Sequence, residues 1–190
     1  NVLLVRFGGE AAVSVYGILM YAEGFIQPLL YGMCDSLQPA VGYNWGAGKY
    51  TRVRAIEKCC FTASGILSMI STAVIFCFPE QITHLFMDQA DTGFMETAAL
   101  ALKLFSITYL TRWFSFATQS YMLAIEKPVP ASVLSVSTAL VFPVLLVAVL
   151  WPLGLTGIWL NFAGTSVLAA VLSVFILIRF HRDIMKQDTE

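Results

Sequence analysis

GMCDSLQPAVGYNWGAGKYTRVRAIEK, residues 32 to 58, decides how the rest of this chain folds. It leaves an apolar helix, is predicted to break at Gln38-Pro39, and crosses a short glycine-rich turn. It exits with four basic residues, Lys49, Arg52, Arg54 and Lys58. Both flanks are apolar and helix-length. The stretch therefore reads as a polar hinge between two membrane spans, with Pro39, Gly42 and Gly46 shaping it.

The composition agrees. The chain of 190 residues is 58% hydrophobic and 12% charged, with mean hydropathy +0.76. Soluble domains run at roughly 45–50% apolar and about 25% charged. So little charge cannot cover a water-soluble globule, and an all-α membrane protein is expected. The net charge of -1 gives no field favouring nucleic acid. The cysteines Cys34, Cys59, Cys60 and Cys77 form no CxxC pair and read as small core hydrophobes.

Working outward, residues 1 to 7 read as the last turns of a truncated span, followed by a tight loop at Gly8-Gly9-Glu10. The chain starts without Met and shows no signal-peptide pattern, so a fragment of a longer protein is expected. Full spans are predicted over residues 12 to 37, 56 to 78, 95 to 123, 129 to 150 and 155 to 178. The first carries Gly24 and Pro28, which together predict a kink. Residues 80 to 88 fit a short interfacial helix with Ile82, Leu85 and Phe86 on one face. Residues 88 to 96 form an acidic loop. The expected architecture is a bundle of five full transmembrane helices plus a truncated one over residues 1 to 179, with a polar tail at 180 to 190.

Lys and Arg set the orientation. On one side lie Lys49, Arg52, Arg54, Lys58, Lys127, Arg179, Arg182 and Lys186, eight of the eleven basic residues. The loops on the other side hold none. The hinge and the C-terminus are expected in the cytoplasm, in a multi-pass protein of the cell (inner) membrane.

Two ionisable residues fall near the midplane. At ~1.5 Å per residue, Glu23 lies roughly 15 Å below the outer end of its helix, and Arg112 roughly 16 Å above the inner face. Lys103 falls near the outer interface, where it can snorkel. A buried charge costs at least ~2.5–3.5 kcal/mol on insertion scales, so Glu23 and Arg112 should face protein or water, and their depth allows an ion pair. Two readings stand side by side. One is a cavity-lining pair with a proton- or cation-coupling carboxylate at Glu23; the other is a buried bridge that fixes helix packing. Gln27, Asp35 and Gln38 share the Glu23 face, either lining a water-filled path or touching other helices. Ser115 and Gln119 neighbour Arg112. Tyr16, Tyr21, Phe25, Tyr31 and Trp113 read as core or interface anchors.

An enzyme reading finds no support. GAGK at residues 46 to 49 is no phosphate loop: the pattern needs Ser or Thr after the Lys and Gly five places before the last Gly, and here these are Tyr50 and Tyr43. His84 and His181 are far apart and suggest no metal site. No cofactor is expected.

LQPAVGYNWGAGKYTRVR resembles the motif in the C-terminal half of multidrug and toxic compound extrusion (MATE) transporters. GEAAVSVYGI before it, FPEQITHLFMDQAD after the next span, the Lys-Pro turn at residues 124 to 128 and LGLTGIWL at 153 to 160 follow in the family's order. The resemblance implies twelve helices in two lobes and exchange of organic cations or drugs for protons or sodium. This chain would be the end of helix seven plus helices eight to twelve, partnered by an N-terminal lobe and the lipid bilayer. It places Glu23 and Arg112 in helices that border the cavity between lobes. A flippase of lipid-linked saccharides, which would have a more cationic cavity, and a non-transporting membrane scaffold are the alternatives.

Overall fold

The computed structural model describes residues 2–86 and 92–187, with side chains as far as residue 180. The elements are α1 (Val2–Ser36), α2 (Gln38–Gly46), α3 (Tyr50–Cys77), α4 (Pro79–Phe86), α5 (Thr92–Ala124), α6 (Pro128–Val136), a π-helical turn (Ser137–Val141), α7 (Phe142–Leu150), a 3-10 turn (Trp151–Leu153) and α8 (Gly154–Gln187). The described residues contain no strand.

Three stretches are long and apolar enough to cross a membrane: Val2–Gly46, Tyr50–Cys77 and Pro128–Phe180. The first is divided by Gly9, whose φ of 63° and ψ of -158° are the one non-helical pair inside α1. That conformation is essentially confined to glycine; it kinks the helix at one residue where the sequence predicts a loop over Gly8-Gly9-Glu10, and Gly8 and Glu10 stay helical. The last stretch is folded by Gly154, at φ 57°, so that α7 packs back on α8. At this end the Phe7 and Trp151 rings meet edge to face, 5.1 Å apart, and Arg6 lies over the Trp151 ring.

α5 is as long as the spans but is not among these three stretches. Its position explains why. It packs against α1, α2, α3, α4, α6 and α8 and is the central helix of the bundle. A helix screened from lipid can carry Ser, Thr and Arg, because protein groups satisfy them. The Ser68 hydroxyl of α3 donates to the Tyr109 carbonyl, and Gly65 lies beneath the Trp113 ring. Lys103 is exposed.

The hinge differs from its sequence reading. Gln38 to Gly46 is helical, with Pro39 in the first turn, where its missing N–H would have had no partner. Gly42 and Gly46 therefore lie inside a helix rather than in a turn. The turn is Ala47–Lys49. Gly48 sits at φ 68°, and Gly48 N and Lys49 N donate to Trp45 O at 3.0 Å and Asn44 O at 2.8 Å. This is the Schellman arrangement, which needs a left-handed residue. Gly42 matters for packing instead. A Cβ there would come within 3.1 Å of the Ala124 carbonyl, so its absence lets α2 pass under the end of α5.

The backbone of α1 stays helical through Pro28. Proline frees one carbonyl, here that of Gly24, without forcing non-helical dihedrals at this site. The departure expected of a proline is found instead at Pro143, as the π-helical turn just before it. α4 matches the short helix predicted before the acidic loop, but Thr83 and Pro79 are its buried residues while Leu85 and Phe86 are exposed. Asp88 and Asp91 of that loop lie outside the described residues; Glu96 belongs to α5, which begins at Thr92. The helical backbone of α8 continues to Gln187, past the predicted start of the tail.

Candidate functional site

Glu23 and Arg112 meet. Arg112 Nη2 lies 2.6 Å from Glu23 Oε1, and the Tyr109 hydroxyl donates to the other carboxylate oxygen, Oε2. Tyr109 and Arg112 are three residues apart on α5, so one helix face presents both groups to α1. Glu23 is 7% exposed. Arg112 is more open, with its side chain 22% exposed, and its guanidinium lies 5.3 Å from the centre of the Phe116 ring. Phe116 in turn stacks on Tyr31 at 4.3 Å.

The open side of Arg112 faces a cavity of about 310 Å³ between α1, α5, the α6–α7 segment and α8. Gln27, Arg112, Ser115 and Gln119, four of the polar residues singled out from sequence, all line it. Glu23 does not; it lies behind Arg112. The stripe predicted along α1 divides here. Asp35 is exposed, and Gln38, beyond the break at Leu37, donates to Asp35 Oδ1 at 2.7 Å and to Ser120 Oγ at 3.0 Å. Ser120 itself donates to the Cys34 carbonyl. Gln38, Ser120 and Cys34 border a separate small cleft with Cys60 and Glu57. The helix break turns Gln38 off the Glu23 face, which a single helical wheel cannot anticipate.

Much of the cavity wall is absent from the sequence reading. Ser135 and Thr138 come from the α6 end and the π-helical turn, and Asn161, Thr165 and Ser166 from α8. Asn161 donates to the Pro143 carbonyl at 2.9 Å, and Thr165 donates to Asn161 Oδ1 at 3.1 Å. Thr111 bonds Ser166 across α5 and α8 at 2.9 Å. The spacing of Asn161 and Thr165 on one face of an apolar helix was the available signal. Tyr31 belongs to the wall rather than to a packing role alone. Thr108 and Ser115 also line it, 1% and 3% exposed, and neither hydroxyl has a hydrogen-bond partner.

Chemically the cavity offers hydroxyls, amides, aromatic faces and one guanidinium. Among the described residues no group of His, Cys, Asp and Glu is placed to hold a metal ion.

Multidrug export protein MepA of Staphylococcus aureus (strain NCTC 8325 / PS 47) is 27% identical over 193 residues, covering 100% of this chain and 41% of that protein. MepA of Staphylococcus saprophyticus is 24% identical over 180 residues, covering 93% and 39%. The chain thus spans about two-fifths of these relatives. Two solved structures share its fold. An outward-facing multidrug resistance MATE family transporter of the MOP superfamily superposes with TM-score 0.86 at 18% identity, over 98% of this chain and 42% of that one. An inward-facing one gives TM-score 0.81 at 18% identity, over 99% and 43%. The family model MatE matches residues 1–149. With most of the chain inside that match, and a fold shared with these transporters, the chain belongs to the MatE family of multi-pass membrane transporters.

Proposed function

We propose that this chain is the C-terminal lobe of a secondary active antiporter that exports organic cations or drugs in exchange for protons or sodium. Glu23 is the coupling carboxylate, and the cavity beside Arg112 is this lobe's contribution to substrate binding. The observation that carries the proposal is a buried carboxylate inside a long apolar helix, held by Tyr109 and by an Arg112 that lines a polar cavity. Intramembrane carboxylates are expensive, and they mark ion pathways by default. Protonation would cancel the Glu23 charge and weaken its hold on Arg112. A bound cation would do the same by competing for the carboxylate oxygens. Either event changes what the guanidinium can reach, so ion occupancy and cavity chemistry are linked.

The rest of the reading follows from the family and the charge distribution. The N-terminal lobe of the same protein is the partner, the bilayer of the bacterial inner membrane is the medium, and the Lys49 to Lys58 side and the C-terminus face the cytoplasm. The test is efflux of a fluorescent organic cation from cells carrying the full-length protein, with the proton or the sodium gradient collapsed in turn. Glu23→Gln is expected to abolish gradient-driven efflux while the protein still reaches the membrane. Wild-type efflux by that variant removes Glu23 from the mechanism.

A further inference from the structure

The segment formed by α6 and α7 is anchored at one end only. α6 packs chiefly on α5. Its Ala131 and Leu134 are buried, Ala131 in the core shared with Val41, Val53 and Met122. α7 packs on α8 instead, and neither α7 nor the π-helical turn contributes a buried residue. The two halves thus belong to different neighbours, and the turn Ser137–Val141 is the joint between them.

The joint is soft for local reasons. Pro143 has no N–H to give the Ala139 carbonyl four residues back. Phe142 N donates to the Ser137 carbonyl, five residues back, so the hydrogen-bond ladder changes register there; such turns are frequent at functional sites. The Thr138 hydroxyl donates to the Leu134 carbonyl at 2.8 Å, a back-bond that favours bending. Beyond the joint, α7 rests on Gly157, Asn161 and Gly164, which share one face of α8 at i, i+4 and i+7. Gly157 meets the Leu150 carbonyl, and Gly164 meets the Leu146 side chain. Among the described residues one side-chain hydrogen bond crosses this smooth contact, from Asn161 to the Pro143 carbonyl at 2.9 Å. Thr165 donates to Asn161 Oδ1 at 3.1 Å and orients the amide.

We propose that the π-helical turn is a hinge on which α7 swings across the glycine face of α8, and that Asn161 is the latch holding its present position. Thr138, Ala139, Pro143, Asn161 and Thr165 all line the cavity. A swing of α7 therefore moves one cavity wall while α1 and α5 keep their places. This rests on the transport reading above and adds a motion inside one lobe, separate from any rocking of one lobe against the other. A ligand lodged against Pro143 and Asn161 favours one α7 position over the rest, so occupancy narrows the range of the swing.

The test uses the full-length protein in nanodiscs, in a cysteine-free background, with distances measured between pairs of spin labels. Val149→Cys on α7 with Glu96→Cys at the start of α5 reports the swing. Val133→Cys on α6 with Glu96→Cys is the control. All three positions are exposed on this lobe, and both pairs are blind to rigid-body motion of the lobe. A swing of about 20°, the size of a distinct kink, carries the far end of a nine-residue arm through roughly 5 Å. Without ligand the first pair should be broader than the control by about that much. It should narrow when ethidium is bound, as judged by fluorescence anisotropy, while the control stays narrow throughout. Asn161→Leu should broaden the first pair further and leave the control unchanged. Thr165→Val should do the same to a smaller degree, and it keeps the test open if Asn161→Leu fails to fold. A first pair as narrow as the control, no narrowing with bound ethidium, no effect of either variant, or equal broadening of both pairs overturns the proposal. Gradient-driven efflux with a rigid first pair sinks the hinge and leaves the transport reading standing. A mobile, ligand-sensitive first pair without gradient-driven efflux keeps the hinge and removes the antiport reading.

Discussion

Arg112 on α5 and Glu23 on α1 are joined at 2.6 Å, and Tyr109 occupies the carboxylate oxygen that Arg112 leaves free. Such a pair contributes little net stability when intact but is costly to break from one side. Arg112→Met removes one partner of the buried pair and should cost about 3–5 kcal/mol. The Glu23→Gln/Arg112→Met double variant should recover most of that loss. Thermal denaturation of the purified full-length protein checks this, and a double variant no more stable than Arg112→Met would contradict it.

Tyr109→Phe removes the hydroxyl that Glu23 Oε2 accepts from. The ring stays packed against Phe105, 5.6 Å away, so the loss isolates one hydrogen bond. An unsatisfied buried acceptor costs about 1–3 kcal/mol. The same denaturation assay should show a lowered midpoint with membrane insertion intact.

Two neighbouring glycines should answer oppositely to alanine. Gly46 is helical with nothing within 4 Å of where a Cβ would stand, so Gly46→Ala should be neutral or stabilise by roughly 0.5–1 kcal/mol. Gly48 holds the left-handed turn at φ 68°, so Gly48→Ala should destabilise by about 1–2 kcal/mol. Matching shifts in the two variants would show that the turn is not where the hydrogen bonds place it.

Gly157→Ala drives a methyl into the Leu150 carbonyl. Backbone on both sides must shift, which strains the α7–α8 connection and lowers yield and melting temperature. A variant as stable as wild type would mean that the two helices are farther apart than described.

Orientation can be read directly. Arg52 is exposed at the start of α3. With Arg52→Cys in a background lacking Cys59 and Cys77, an impermeant maleimide should label the new thiol in inside-out vesicles and not in intact cells. The opposite pattern would reverse the topology.

The helices were legible because lipid permits few alternatives: apolar runs of membrane length, bounded by Gly9, Pro79, Pro128 and Gly154, can only be spans. Depth arithmetic on Glu23 and Arg112 placed both near the midplane, and they touch. The failures share a cause. α2 looks like a turn when Pro39, Gly42 and Gly46 are read by residue type, whereas Pro39 in a first turn and Gly42 against Ala124 are compatible with helix. Tyr109 escapes notice since a tyrosine in an apolar helix has no local signature; its role comes from Glu23 arriving on another element. Asn161 and Thr165 line the cavity only because α8 packs beside α5, information that belongs to the tertiary fold.

The Glu23–Arg112 contact also bears on how the protein is made. Tyr109 follows Glu23 by 86 residues, with α2, α3 and α4 in between. In synthesis the carboxyl group therefore reaches the membrane before the residues that will hold it have been translated. Until then it must stay close to water or to other polar groups. Docking of α5 ends that wait, so the ion pair can close before α6, α7 and α8 have been made, and those helices pack against a partner already fixed in place.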